Sequence, residues 1–239
     1  MTSALSSTVP IDAIILDMDG TLLDTERLYK ACTQKTLSSM GMGDQQVLIH
    51  QMVGLSSAKC DALLLATFGH DFALATYHQG FLTLRAELSS GGIALKPGTI
   101  ELLDALAHAG FPMAIATSSS REAAERHLTV SGLRARFETV VTVDDVREAK
   151  PSPDIYLEAA RRLGVLPAAC IAVEDSAAGV TAAVRAGIAT IMVPDMNQPD
   201  AQIASMCLAV CPDLFGAFDV IAQRVPALNT STRQARATL

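Results

Sequence analysis

The sequence predicts an α/β protein whose core is a doubly wound, mostly parallel sheet with an inserted α-helical cap domain. From residue 93 onward, apolar runs of strand length alternate with helical patterns. An earlier run near the N-terminus ends in a cluster of carboxylates. Between that run and the alternating region lie roughly seventy residues of helical pattern, far more than a parallel crossover needs, so the block reads as an insertion.

Ile11-Asp12-Ala13-Ile14-Ile15-Leu16 is the first strand, ending in Asp17-Met18-Asp19 and the breaker Gly20. The helical block follows as Glu26 to Met40 closed by Gly41, Ser57 to Phe68 closed by Gly69, and Phe72 to Leu88, with Gly91-Gly92 as a hinge. Pro97-Gly98 opens a helix to Ala109, Gly110 ends it, and Pro112 to Ala116 is the second strand. A serine-rich turn leads into a helix over Arg121 to Val130, and Thr139 to Thr142 is the third strand. The helix Pro153 to Leu163 has proline at its start and Gly164 past its end. Cys170 to Val173 is the fourth strand, Ser176 caps a helix to Ala186 before Gly187, and Ala189 to Val193 is the fifth strand. The core is therefore expected over 1–22 and 93–227, the cap over 23–92 and a disordered tail over 228–239. The ligand site should lie beyond the carboxyl ends of the strands, with the cap above it.

A chain of 239 residues can bury a sizeable core without disulfides. Its cysteines, Cys32, Cys60, Cys170, Cys207 and Cys211, are odd in number and scattered, unlike a secreted scaffold or a zinc set. Cys207 and Cys211, one helical turn apart, are expected to pack together. The net charge of -7 argues against a nucleic-acid polymer as partner, which needs a basic face. Met1 to Pro10 lacks the positive start and apolar stretch of a signal peptide, and no apolar run is long enough to span a membrane. A cytoplasmic monomer acting on a small molecule is the expectation.

The chemistry concentrates at strand ends. Asp17 and Asp19, two residues apart, can both point into one cleft while Met18 points away. Two such anions repel unless a cation lies between them, and a second acidic pair, Glu174-Asp175, ends another apolar strand. Hard oxygen ligands from two strand ends suit magnesium. Alone, the second pair would be an ordinary favourable charge at a helix N-terminus. Lys150, set between Ala149 and Pro151-Ser152-Pro153, would alone be a solvated surface charge, but several carboxylates at a phosphoryl-transfer site require a cation. In Thr117-Ser118-Ser119-Ser120, Ser120 caps the following helix while the Thr117 hydroxyl and the Ser118 N–H face the cleft, where a phosphate would sit. The five histidines have no metal-ligand spacing and no obvious nucleophile partner, so no catalytic role is expected of them.

These four elements, in this order over about Ile11 to Val193, resemble the four motifs of the haloacid dehalogenase-like (HAD) superfamily, whose core is Rossmann-like. The resemblance implies that Asp17 is the phosphoryl-accepting nucleophile and Asp19 the general acid and base. It makes Thr117 the phosphate-binding hydroxyl and Lys150 the charge-balancing cation. Asp17, Glu174 and Asp175 would bind Mg2+ with their side chains, and Asp19 through its backbone carbonyl. Ser118 and Gly20 would join the phosphate site, and Glu26, Tyr29, Ser56, Ser57 and Lys59 are candidate substrate contacts. Leu22 to Tyr29 and the cap resemble the beta-phosphoglucomutase-like branch, especially its phosphatases. Where the mutases of that branch carry a cap histidine and a cap-loop arginine, this chain has Tyr29 and Ser57.

The expected function is therefore a magnesium-dependent phosphomonoesterase acting on a small sugar or nucleotide phosphate through an aspartyl-phosphate. A sugar phosphomutase is the nearest alternative, followed by a non-catalytic binding module. A carbon–halogen hydrolase would not need Asp19, Glu174 and Asp175 together.

Overall fold

The computed structural model describes residues 9–52, 55, 57–89, 91–226 and 228. The chain forms two compact units. One comprises the N-terminal segment to Leu22 together with the chain from Leu95 onward, and the other is Leu23–Ala94.

The first unit begins with β1 (Ala13–Leu16), whose four side chains are all buried. That is the signature of a strand covered on both faces, and it explains an unbroken apolar run rather than an alternating one. After the other unit the chain continues through α5 (Thr99–His108), β2 (Met113–Ala116), α6 (Arg121–Val130), β3 (Thr139–Val141), α7 (Asp154–Leu163) and β4 (Cys170–Glu174), once α1 to α4 have been counted in the inserted unit. It ends with α8 (Ala177–Arg185), β5 (Ala189–Met192), α9 (Ala201–Met206), β6 (Ala209–Val210) and α10 (Leu214–Arg224). The six strands pair in parallel in the order β3-β2-β1-β4-β5-β6. The strand order reverses between β1 and β4, and such a reversal opens a crevice at the carboxyl ends of these two strands.

On one sheet face, Ala13, Ile15, Ala114, Ala116 and Ala172 pack with Ile155, Tyr156, Ala159 and Ala160 of α7 and Ala182 and Ala183 of α8. The small strand residues leave room for the helices to lie close. Ile14, Leu16, Ile115, Ile171 and Val173 alternate with them and are equally buried, so they face the opposite side.

The inserted unit holds α1 (Thr25–Ser39), α2 (Gln46–Met52), α3 (Ser57–Phe68) and α4 (Leu74–Ser89). Its separate core contains Leu37, Leu48, Leu64, Phe72 and Tyr77, with the Phe68 and Phe72 rings stacked at 5.1 Å. Of these helices the sequence pattern missed α2, whose seven residues carry too few turns for a periodic signal.

The sequence also predicted five strands and omitted β6, α9 and α10. Two residues of β6 show no alternation, yet α10 had a readable start, because the Asp213 carboxylate accepts the Gly216 N–H at 2.9 Å. Cys207 and Cys211 do not share a helix: Cys207 ends α9 and Cys211 follows β6. Their spacing of four is spent on a turn and a strand. All five cysteines are free thiols. Leu228, placed in the expected tail, is fully buried, and 229–239 lie outside the described residues. Among the described residues no helix is long and apolar enough to cross a membrane.

Candidate active site

The site grows from the carboxyl ends of β1, β2 and β4. Just past β1, the Asp17 N–H still donates to the Val173 carbonyl at 3.0 Å, which sets the carboxylate at the carboxyl end of the sheet. Gly20 turns the chain at a φ of +86°, and a Cβ there would collide with the Asp175 carboxylate. Both the backbone conformation and the space demand glycine.

Lys150 holds this cluster together. Its Nζ donates to Asp17 Oδ1 at 2.6 Å, to Glu174 Oε1 at 2.6 Å and to the Ala116 carbonyl at 2.9 Å, which uses all three ammonium protons. The side chain is buried, with Nζ 5.3 Å from the centre of the Tyr156 ring. The Tyr156 hydroxyl donates to the same Glu174 oxygen at 2.6 Å. Glu174 Oε2 accepts from the backbone N–H groups of Asp175 and Ser176 and from the Ser176 hydroxyl. Ser176 also caps α8 by accepting the Gly179 N–H at 3.0 Å, and a Cβ on Gly179 would overlap the Glu174 carboxylate. Glu174 is thus locked by its own helix N-terminus, and in turn locks Lys150.

At the end of β2, the Thr117 hydroxyl donates to Asp19 Oδ2 at 3.4 Å and accepts the Ser119 N–H at 3.1 Å. The closer contact on Asp19 Oδ2 comes from the Ser119 hydroxyl at 2.7 Å. Ser118 is exposed, and Ser120 caps α6 through the Ala123 N–H at 3.3 Å. The structure thus groups Asp17, Lys150, Glu174 and Asp175 in one cluster and ties Thr117 to Asp19. Glu26, Tyr29, Ser57 and Lys59 belong to the helical unit, on α1 and α3. Gly54 and Ser56 lie outside the described residues.

Burial raises the Asp17 carboxyl to about 8 even against the pull of Lys150, and crowding by Glu174 and Asp19 adds to the rise. Asp175 is driven well above the usual carboxylate range by burial and then by Asp17 and Glu174. Lys150 moves the other way. Burial opposes its charge, but Asp17 and Glu174 outweigh that and keep it protonated. One lysine cannot balance three carboxylates, so the cluster retains a proton when no other cation is present. Each of Asp17, Glu174 and Asp175 offers an oxygen within 4.8 Å of the others, and Asp17 Oδ2 is buried with no hydrogen-bond partner. A hard divalent cation fits this set by replacing the proton and satisfying that oxygen.

Residues 14–193 match the family model of the haloacid dehalogenase-like hydrolases. This chain belongs to that family. Protein CbbY of Rhodobacter capsulatus is 31% identical to it, covering 77% of this chain and 86% of its own length. The phosphorylated carbohydrates phosphatase of Thermotoga maritima is 29% identical, covering 84% of this chain and 94% of its own. The crystal structure of CbbY from Rhodobacter sphaeroides in complex with phosphate superposes with a TM-score of 0.70 at 29% identity, over 85% of this chain and 94% of that one.

Three contacts in this haloacid dehalogenase-like hydrolase escape a reading by sequence. Ser119 gives Asp19 its short hydroxyl bond, and only the backbone path distinguishes it from the other serines of that turn. Tyr156 on α7 reaches Glu174 across the α7–β4 connection. His127 Nδ1 lies 3.1 Å from Asp19 Oδ1. Its one readable signal is a histidine on the apolar stripe of α6 with Ala124 and Leu128.

Proposed function

We propose that this hydrolase is a magnesium-dependent phosphomonoesterase that removes the phosphoryl group from a small sugar or nucleotide phosphate by way of Asp17. The observation that carries the reading is Asp17 itself. It is buried at the strand-order reversal, with Oδ1 held by Lys150 and Oδ2 without a hydrogen-bond partner. Such a carboxylate is oriented by one oxygen and available through the other.

The Asp17 carboxylate attacks phosphorus in line, the ester bond breaks, and the phosphoryl group is held as an aspartyl-phosphate. Lys150 lies at the attacking residue and offsets charge on the transferred oxygens. Asp19 gives its proton to the leaving alkoxide, then takes one from the water that cleaves the aspartyl-phosphate. Thr117 and the Ser118 N–H bind the phosphate oxygens, and Gly20 lets the backbone come close to them. Asp17, Glu174 and Asp175, with the Asp19 carbonyl, would hold magnesium, which would supply charge neutralisation at phosphorus. The relatives fit this reading, one holding phosphate in its crystal and another named as a phosphatase of phosphorylated carbohydrates. Free thiols throughout accord with a reduced, cytoplasmic setting.

The test is phosphate release from a panel of sugar and nucleotide monophosphates, with magnesium or chelator, for wild type and Asp17→Asn. Release that needs magnesium and vanishes in the variant is expected. Conversion between sugar phosphates without net release would instead make the protein a mutase. Saturable binding without turnover would make it a binding module.

A further inference from the structure

His127 is fully buried on α6, a helix whose other buried side chains are Ala124 and Leu128. An apolar residue would fill that space at no polar penalty, so a buried imidazole needs a reason. Its Nδ1 lies 3.1 Å from Asp19 Oδ1. In the ionised state from which it takes a proton from water, Asp19 can only accept, so in that state Nδ1 carries the hydrogen and the imidazole donates. Asp19 Oδ2 is meanwhile held from the β2 side by the Ser119 hydroxyl at 2.7 Å and the Thr117 hydroxyl at 3.4 Å. The two carboxylate oxygens are therefore gripped from two different elements, while the side chain keeps 21% of its surface open. A two-torsion side chain gripped at both oxygens cannot rotate freely, and proton transfer depends on such orientation.

We propose that His127 is a positioning residue for Asp19, its Nδ1–H fixing the carboxylate in the orientation from which it exchanges protons with substrate and water. The proposal rests on the role given to Asp19 above. The imidazole does not touch the reacting atoms and acts only through that carboxylate.

Two variants separate the hydrogen bond from the bulk. His127→Leu fills the space without a donor, whereas the side-chain amide of His127→Asn puts an N–H close to where Nδ1 stood. With magnesium and p-nitrophenyl phosphate as probe, His127→Leu should lower kcat about 10-fold or more with KM within about twofold. His127→Asn should recover most of that kcat although it leaves the pocket underfilled. Wild-type kcat in His127→Leu, or an equal loss in both variants, would overturn the proposal. A second readout needs no turnover: in 15N spectra of the labelled imidazoles, His127 should show the Nδ1–H form and shift in Asp19→Asn. A His127 signal indifferent to Asp19→Asn overturns the contact whatever the kinetics. Absence of phosphate release from wild type, with that signal still coupled to Asp19, sinks the phosphatase reading instead.

Discussion

At Lys150 one ammonium meets two carboxylates and a carbonyl, and the third carboxylate of the cluster, Asp175, gets no share of it. The consequence is a proton kept by the cluster, where the carboxyls of Asp17 and Asp175 are both raised. With that of Asp17 raised from 3.8 to about 8, the folded apo protein binds between those values a proton that the unfolded chain has lost. Stability of the apo protein therefore falls as pH rises through that window. A divalent cation must displace the proton, so magnesium should raise the melting midpoint more at about pH 9 than at about pH 6. An increment independent of pH would refute the assignment. Asp17→Asn cannot take on the negative charge that wild type acquires at this position as pH rises through about 8, so in chelator above that pH it should melt no lower than wild type while releasing no phosphate. Asp17, Glu174 and Asp175 were legible in the sequence because each stands at or next to a strand end, and Lys150 because prolines follow it at the entry to a helix. His127 was not, since 108 positions separate it from Asp19 and no spacing rule spans such a gap.

At the scale of single elements, the N-terminus of α8 does two things at once. Ser176 caps the helix and donates to Glu174, and Gly179 leaves space for the Glu174 carboxylate. Ser176→Ala should cost about 1 kcal/mol in urea unfolding for the lost cap. Gly179→Ala, favourable for a helix interior by propensity alone, should instead displace Glu174 and weaken magnesium binding measured by calorimetry. Unchanged affinity would mean that Glu174 does not set the site. A second junction ties β3 to α6 and α7. Asp145 binds the Thr142 N–H and hydroxyl, Arg162 at 2.9 Å and Arg121. Burial works against its charge, but these partners hold its carboxyl down to about 2. Its contribution is present above the unfolded value of 3.8 and disappears as pH falls through about 2. Asp145→Asn should therefore destabilise the protein at neutral pH, with the difference closing near pH 2. A difference that persists in acid would point to lost packing rather than lost charge.

For the whole molecule, the division into two units separates chemistry from the helical insertion: Asp17, Lys150, Glu174 and Asp175 all belong to the unit that contains the sheet. Leu64, fully buried in the other unit, reports on that unit alone. Leu64→Ala should cost about 2–5 kcal/mol there. Hydrogen exchange should show faster exchange in α1 and α3, with magnesium still protecting the ends of β1 and β4. Loss of that protection would show the two units to be one cooperative body. By itself the sequence determined what depends on neighbours along the chain. Five strands were visible as apolar runs because parallel strands are buried on both faces, and the carboxylates were visible because they end those runs. The insertion was visible because of its length. Only the tertiary structure decided the order of the strands, which sets where β1 and β4 part and the crevice opens. It also decided which serine of a four-residue turn reaches Asp19, and that Tyr156 and His127 join the site. The physical reason is common to all of these. Periodicity and capping are local, whereas a 2.6 Å hydrogen bond such as that from Tyr156 to Glu174 depends on how two elements pack, which no short stretch of sequence encodes.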